Sequence, residues 1–274
     1  MDGRAPGAHN MAIDEALLET ARRPVLRLYG WEPSALSLGY FQDAQTVDFA
    51  LCAREGIDVV RRPTGGRAIL HARELTYSVV LPPQHRFAQV GVAESYRLLS
   101  AGLQRALTLL GLGAQLAKKP ASGLGRPSPG QSEAALAAAC FDAPSWYELV
   151  VGGRKVVGSA QVRRKGALLQ HGSIPLFLEA ERLFRLLRFR SEDNRKRAKA
   201  SLEAAAAGLV ELAGRPITLH ELASALVRGF EEALSVETYQ DSLTATERET
   251  AERLEIKHRS SAWIMERKEE RTRP

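Results

Sequence analysis

Residues Tyr147–Pro175 read YELVVGGRKVVGSAQVRRKGALLQHGSIP, and their pattern decides the fold. Three extended runs, Tyr147–Val151, Lys155–Arg163 and Ala167–Pro175, are joined by Gly152-Gly153 and Lys165-Gly166, the short connections that close hairpins. The spacing predicts a meander of three strands. Just upstream, Lys118–Gln131 (KKPASGLGRPSPGQ) is built of Lys, Pro, Ser and Gly and cannot pack, so a mobile surface loop is expected there. It is not a domain boundary, because the strongest sheet pattern follows it directly.

Toward the N-terminus, Val92–Leu110 carries apolar residues at three and four spacing until Gly111 and Gly113 stop it, a long amphipathic helix. Leu75–Leu81 reads as a strand, as does Ile57–Arg62, which runs into the loop Pro63-Thr-Gly-Gly-Arg67. Asp48–Glu55 is expected as a helix containing Cys52. Leu26 and Leu28, then Leu36 and Leu38, alternate within two short strands parted by Gly30, Pro33 and Ser34. Asn10 is expected to cap the helix MAIDEALLETA, with Asp14 and Glu15 near the favourable end of its dipole. From Glu179 onward the pattern is helical, with one helix leading from Ile217 through Leu234 and another from Thr244 to about Lys257. No internal repeat is present.

With 274 residues, 45% of them hydrophobic, the chain can fill a sizeable core. No window approaches the ~20 apolar residues of a bilayer span, and MDGRAPGAHN lacks the apolar core of a signal peptide, so a cytoplasmic protein without membrane partners is expected. Two distant cysteines, Cys52 and Cys140, leave thiols free rather than a disulfide framework. The formal charge of +6 suits either nucleic acid or acidic protein partners. Its basic clusters, 181–199 and 257–273, are interspersed with acids and read as solvated helix faces, and no aromatic-rich RNA motif accompanies them. A nucleic-acid partner is therefore not expected.

Arg61-Arg-Pro-Thr-Gly-Gly-Arg67 is a turn that lets backbone approach a ligand, flanked by guanidinium groups suited to anions; the competing reading is a tight turn with exposed arginines. It lacks the Lys-Ser/Thr pair of a phosphate-binding P-loop and the three spaced glycines of a dinucleotide fingerprint. Cys140 follows the loop and a short Ala-rich stretch, Glu133–Ala139. At a helix C-terminus its thiolate would need a cation, and Lys155 on the next strand is the candidate. Pattern alone favours a buried structural cysteine. Cys52, beside Leu51 and Ala53 in an amphipathic helix, reads as core. His71 and His171 each follow an apolar run without the short spacing of a ligand set, so no metal is expected.

Several segments, taken in order, resemble the biotin/lipoate protein ligase superfamily, and within it the cysteine-dependent octanoyltransferases of the LipM type. They are Asn10–Ala16, Ala35–Gln42 (ALSLGYFQ), Arg61–Arg67, His71, Glu74–Ser78, Cys140–Glu148 (CFDAPSWYE), Gly153–Gln161 (GRKVVGSAQ) and Gln170-His-Gly172. The resemblance implies an α+β fold, a mixed, largely antiparallel sheet flanked by helices of the class II synthetase-like catalytic kind, over residues 1–240, with 241–274 a helical extension. It implies octanoyl transfer from octanoyl acyl carrier protein to a lysine of lipoyl-domain proteins such as the glycine cleavage H protein. Cys140 would carry the acyl thioester and Lys155 would lower its pKa. Substrate contacts are implied at Arg62, Thr64, Gly65, Gly66, His71, Gly158, Ser159 and Ala160, with the acyl chain in a tunnel beside the glycine loop. A monomer without cofactor is expected. Two rivals remain within the superfamily: an ATP-dependent lipoate ligase, which tends to carry a third glycine where this chain has Arg67, and an amidotransferase that moves octanoyl between lipoyl carriers.

Overall fold

A computed structural model describes residues 2–117 and 148–266. Chain order begins with β1 (Arg4–Ala5), α1 (Gly7–Thr20), β2 (Val25–Trp31), β3 (Ala35–Leu38), α2 (Phe49–Arg54), β4 (Asp58–Arg61), β5 (Ile69–His71) and β6 (Glu74–Leu81). It continues with α3 (Arg86–Gln89), α4 (Val92–Leu109), β7 (Gln115–Ala117), β8 (Glu148–Val151), β9 (Arg154–Lys155), β10 (Gly158–Arg164) and β11 (Ala167–Pro175). Six further helices follow: α5 (Ala180–Arg185), α6 (Glu192–Ala205), α7 (Leu209–Ala213), α8 (Leu219–Leu234), α9 (Ala245–Arg259) and α10 (Ser261–Met265).

The five-stranded sheet runs β1-β2-β6-β11-β10. Its central strands β6 and β11 are buried along their whole length, as strands covered on both faces must be. Leu75, Tyr77, Val79 and Leu81 face α4 and α8, whereas Val80 turns to the opposite side and packs with α1 and α9, which is the period-two alternation of a strand. The α4–α8 crossing is close because it is made at glycines. A Cβ on Gly229 would lie 2.5 Å from the Gly102 carbonyl oxygen, and one on Gly102 would lie 2.6 Å from the Phe230 ring. A second sheet, β4-β3-β5, is backed by Cys52 of α2, Phe184 of α5 and Leu202 of α6. A third, β7-β8-β9, stands beside α6, whose end meets Lys155. Among the described strands only β1–β2 and β3–β4 pair in parallel, so the architecture is the mixed, largely antiparallel α+β arrangement expected.

Three local expectations are corrected. The run Lys155–Arg163 is not one strand of a meander: Val156 and Val157 both bury in the same core, the alternation breaks, and the chain leaves the third sheet at Lys155 to enter the five-stranded sheet at Gly158. Asn10 is not a cap, because α1 starts at Gly7; it lies fully buried inside the helix and donates to the carbonyls of Gly30 (2.9 Å) and Ala5 (3.2 Å). Asp14 and Glu15 consequently sit mid-helix and buried, where a charge needs partners rather than a dipole. Glu15 receives Lys257 (2.6 Å), His258 (2.7 Å) and Arg164, which fastens α9 to α1. The loop expected at Lys118–Gln131 and the Ala-rich stretch after it lie outside the described residues. No described helix is long and apolar enough to cross a membrane.

Candidate functional site

Between the five-stranded and the β4-β3-β5 sheets lies a cavity whose unfilled space, counting the part open to solvent, is about 360 Å³. Its walls follow the strand order. Tyr29 and Trp31 of β2 close one end with Met11 of α1; Thr76 of β6 and His171, Gly172 and Ser173 of β11 form the floor; Gly158, Ser159 and Ala160 of β10 form the other end. Ser37 of β3, Ile69 and His71 of β5, and Arg62 make the roof. Three strand spacings separate β2 from β10, so the floor is ~14 Å long.

The roof is held by the glycine loop. Arg62 N donates to Leu38 O (3.0 Å) and Tyr40 N to Thr64 O (2.8 Å), which draws the loop against the end of β3. Gly39 permits this approach: a Cβ there would stand 1.8 Å from the Gly66 carbonyl oxygen. Arg61 and Arg62 are buried rather than exposed, and both bond to acceptors of the protein itself. Arg61 is fully buried and donates to the carbonyls of Gly39 (2.7 Å), Tyr40 (3.0 Å) and Gln42 (2.7 Å) on one side and of Ile264 (2.7 Å) on the other, while Trp263 Nε1 donates back to Arg61 O (3.0 Å). Arg62 holds the loop from within through Ser37 O (3.0 Å), Gly65 O (3.0 Å) and Arg67 O (2.6 Å). Buried guanidinium groups are satisfied by backbone acceptors, which also fixes the loop's shape.

Two histidines repeat one motif. The Thr64 hydroxyl donates to His171 Nε2 (2.6 Å), and His171 Nδ1 donates to Asp14 (3.0 Å). Arg62 donates to Ser37 Oγ (3.0 Å), whose own proton goes to His71 Nε2 (2.8 Å), and His71 Nδ1 donates to Glu74 (2.8 Å). Glu74 also accepts from Thr76 (2.5 Å) and Ser173, and Trp31 stacks on His71 with ring centroids 4.0 Å apart. Burial holds the His171 imidazole below its ordinary range against the pull of Asp14. Burial alone would raise the Asp14 carboxyl, but the bond from His171, the charge of Arg27 and the Tyr29 hydroxyl together hold it below the usual carboxylate range. The polar groups therefore satisfy one another, and the surface left facing the cavity is mostly apolar. Such a lining is apolar with polar groups at a few set points, the usual make-up of a small-molecule site.

Of the sequence candidates, Arg62, His71, Gly158, Ser159 and Ala160 line the cavity. Thr64 stands behind it on His171, while Gly65 and Gly66 shape the loop, Gly66 with φ 90°. Lys155 is buried on β9, three residues before Gly158, and its Nζ donates to Glu148 Oε1 at 2.7 Å. Cys140 lies outside the described residues. Cys52 is core, as read: burial, helped by Asp48 and Glu55, pushes its thiol up to about 11, which makes a poor nucleophile at neutral pH. Among the described residues no group of three His, Cys, Asp or Glu side chains could hold a metal ion. Trp31, Ser37, Glu74 and Asp14 escaped residue-level reading. The available signal was two adjacent acids inside the apolar run MAIDEALL, since buried carboxylates require partners.

A model of the lipoyl protein ligase A/B catalytic domain matches residues 6–231. The chain belongs to this family. An octanoyltransferase LipM of Kyrpidia tusciae is 48% identical over 266 residues, spanning 95% of both chains. The octanoyltransferase LipM of Bacillus subtilis is 41% identical over 275 residues, 97% of this chain and 96% of that one. Among solved structures, a bipartite lipoate protein ligase of Thermoplasma acidophilum, described with its E2 lipoyl domain, superposes with a TM-score of 0.77 at 25% identity over 99% of each chain. A lipoate-protein ligase A bound with ATP superposes at 0.72 with 26% identity, over 97% of this chain and 99% of that one.

Proposed function

We propose that the chain is an octanoyltransferase of lipoate biosynthesis, working in the cytoplasm, that carries the acyl group on Cys140. The observation that carries this reading is near-full-length identity of 41–48% to octanoyltransferases LipM, against 25–26% to ligases of the same fold. The cavity supports it: an apolar slot could hold the acyl tail toward Met11 and Trp31 with the carbonyl toward the β10 end, the end closest in sequence to Lys155.

In this scheme octanoyl arrives as a thioester on acyl carrier protein. The Cys140 thiolate attacks the carbonyl carbon, the carbonyl π pair moves to oxygen, and its return expels the carrier thiolate, which takes up a proton. The neutral amine of the acceptor lysine, on a lipoyl domain such as that of the glycine cleavage H protein, then displaces Cys140 and loses a proton. A thioester is exchanged for a thioester and then for a more stable amide, so no ATP is consumed. Lys155 favours the thiolate and the developing oxyanion, and Glu148 fixes its ammonium from the neighbouring strand. Residues 1–240 would form the catalytic unit and 241–274 an extension, whose described helices α9 and α10 pack on α1 and bond to Arg61. The net charge of +6 would favour docking of acidic carrier domains.

The test is intact-protein mass spectrometry after mixing with octanoyl acyl carrier protein without ATP, followed by peptide mapping and addition of a lipoyl domain. An octanoyl adduct on Cys140 that passes to the acceptor is expected, lost in Cys140→Ser and kept in Cys52→Ser. Acylation that instead requires free octanoate and ATP would make the protein a ligase and Cys140 a structural residue.

A further inference from the structure

The run 181–199 holds eight Arg and Lys residues against three acids, so this one segment carries five of the six net positive charges of the chain. In the structure its cations divide into two groups. Arg182 and Arg185 reach Glu55 just past α2, and Arg195 and Lys199 reach from α6 to Glu181 on α5. Those four brace the helices against their neighbours. Arg188, Arg190, Lys196 and Arg197 are exposed, and among the described residues their side chains make no hydrogen bond or ion pair. Lys196 acts on Glu192 through space, but both oxygens of that carboxylate are already taken by Arg195. Four like charges within ten residues repel one another, and nothing in the fold offsets that repulsion.

Their placement is fixed by packing. Phe189 tucks against Phe184 with ring centroids 5.7 Å apart, and the Arg188 amide donates to Thr46 O (2.8 Å), so the link between α5 and α6 is held down while the arginines on either side of Phe189 stay in solvent. Lys196 and Arg197 lie on α6 away from its buried residues Ala198 and Leu202. The exposed face of α6 continues through Ala200, Glu203 and Ala204 to the cap residue Ala206, which bridges to Lys155. The rise of a helix puts Lys196 ~15 Å from that bridge.

We propose that Arg188, Arg190, Lys196 and Arg197 form the docking surface for octanoyl acyl carrier protein. The inference rests on the octanoyl-transfer reading and names where its donor sits. An acceptor lipoyl domain has to bring a lysine on a four-carbon stem to the thioester, so it must sit directly over the reacting carbon. An acyl carrier protein delivers its group on a phosphopantetheine arm many bonds longer. Its body can rest a helix's length away, with the arm laid along α6 where Ala200 and Ala204 keep the surface low. An acidic carrier against four unpaired cations supplies complementary charge, which speeds encounter and fixes orientation.

The experiment compares the full-length wild type with two fourfold variants of equal net charge. One carries Arg188→Gln, Arg190→Gln, Lys196→Gln and Arg197→Gln. The other carries Arg22→Gln, Arg105→Gln, Arg228→Gln and Arg253→Gln, which neutralise exposed cations elsewhere on the surface. Acylation of each enzyme is followed from octanoyl acyl carrier protein and from octanoyl-pantetheine, the same thioester without a protein, and KM is measured for the lipoyl domain. The first variant is expected to raise KM for the acyl carrier protein roughly 10-fold or more at low salt and to lose the salt dependence of the wild type. Its reaction with octanoyl-pantetheine and its KM for the lipoyl domain are expected to match the wild type, and the second variant is expected to match it throughout. Equal rises in both variants would make the effect one of net charge and overturn the proposal. A rise confined to the lipoyl domain would give the surface to the acceptor, and RNA bound by the wild type but released by the first variant, with carrier KM unchanged, would make it a nucleic-acid face; either result overturns it too. So does a first variant that loses the octanoyl-pantetheine reaction in step with the carrier reaction, since the change would then lie in the site. A wild type that takes octanoyl from neither thioester, yet acylates the acceptor from octanoate and ATP, removes the transferase reading and this proposal with it.

Discussion

Gly39→Ala is the substitution for which the structure gives the sharpest expectation. Its new methyl would sit 1.8 Å from the Gly66 carbonyl oxygen, whereas ordinary van der Waals contact begins at about 3.4 Å, so the loop must retreat by about 1.6 Å. That retreat is opposed by two flanking backbone bonds, Tyr40 N to Thr64 O at 2.8 Å and Arg62 N to Leu38 O at 3.0 Å. Neither survives so large a displacement. Overpacking of this kind costs about 1–3 kcal/mol, which for a chain of this size lowers Tm by roughly 3–10 °C. The effect on transfer should be larger than the effect on stability, because the loop carries Arg62 on the cavity roof and Thr64 on His171, and displacements near 1 Å can cost ~10²-fold in rate. Gly65→Ala is the internal control, since a Cβ there meets nothing within 4 Å. Both variants would be assayed for octanoyl transfer to a lipoyl domain and for thermal unfolding. If Gly39→Ala transferred at the wild-type rate, or if Gly65→Ala were equally impaired, the loop's position would not be what the site depends on.

Lys155→Met should abolish transfer and, by leaving Glu148 without this buried ion pair, cost about 3–5 kcal/mol; Lys155→Met/Glu148→Gln should recover Tm in calorimetry but not activity. Glu15→Gln should lower stability by about 2–3 kcal/mol, less than for a wholly buried pair because Lys257 and Arg164 are each about a third exposed, and a Tm unchanged from wild type would show that α9 docks by apolar contact alone. Stability should also decline below neutral pH. His171 is held below its ordinary 6.5, so as pH falls through that value the unfolded chain takes a proton that the folded chain refuses, and the contribution present above it is lost at up to ~1.4 kcal/mol per pH unit. His171→Gln should flatten the denaturant-midpoint profile between about pH 7 and 5, and an unaltered slope would exclude His171 as its source.

Strands and helices whose cores lie on one side were legible in residue pattern. Asp48 and Thr244 stand as expected at the heads of α2 and α9, and Leu75–Leu81 forms β6 within a residue. The misreadings share a cause, which is tertiary burial overriding local grammar. Asn10 looks like a cap because caps and buried backbone anchors use the same side chain, and only the neighbouring carbonyls of Gly30 and Ala5 distinguish them. Val156-Val157 continues a strand in sequence, yet the chain changes sheets there because both valines bury in one core. Arg61 and Arg62 suggest a phosphate or carboxylate, but their acceptors are carbonyls contributed by residues from 37 to 264, which no window of sequence contains. The cavity's lining candidates Arg62, His71 and Gly158–Ala160 came from family resemblance. The hydroxyl–imidazole–carboxylate pairs behind them became visible only when β3, β5, β6 and β11 were brought together.

The Arg61 bond to Trp263 O spans 202 residues of sequence. During synthesis at about 5–20 residues per second, the glycine loop must therefore wait ~10–40 s for its last acceptors to be made. The core of β6, β11 and α4 can collapse earlier, but the roof over the cavity is fastened last. The loop that carries Arg62 on the cavity roof is thus held from both ends of the described chain, by residues 39–42 first and by residues 263 and 264 last.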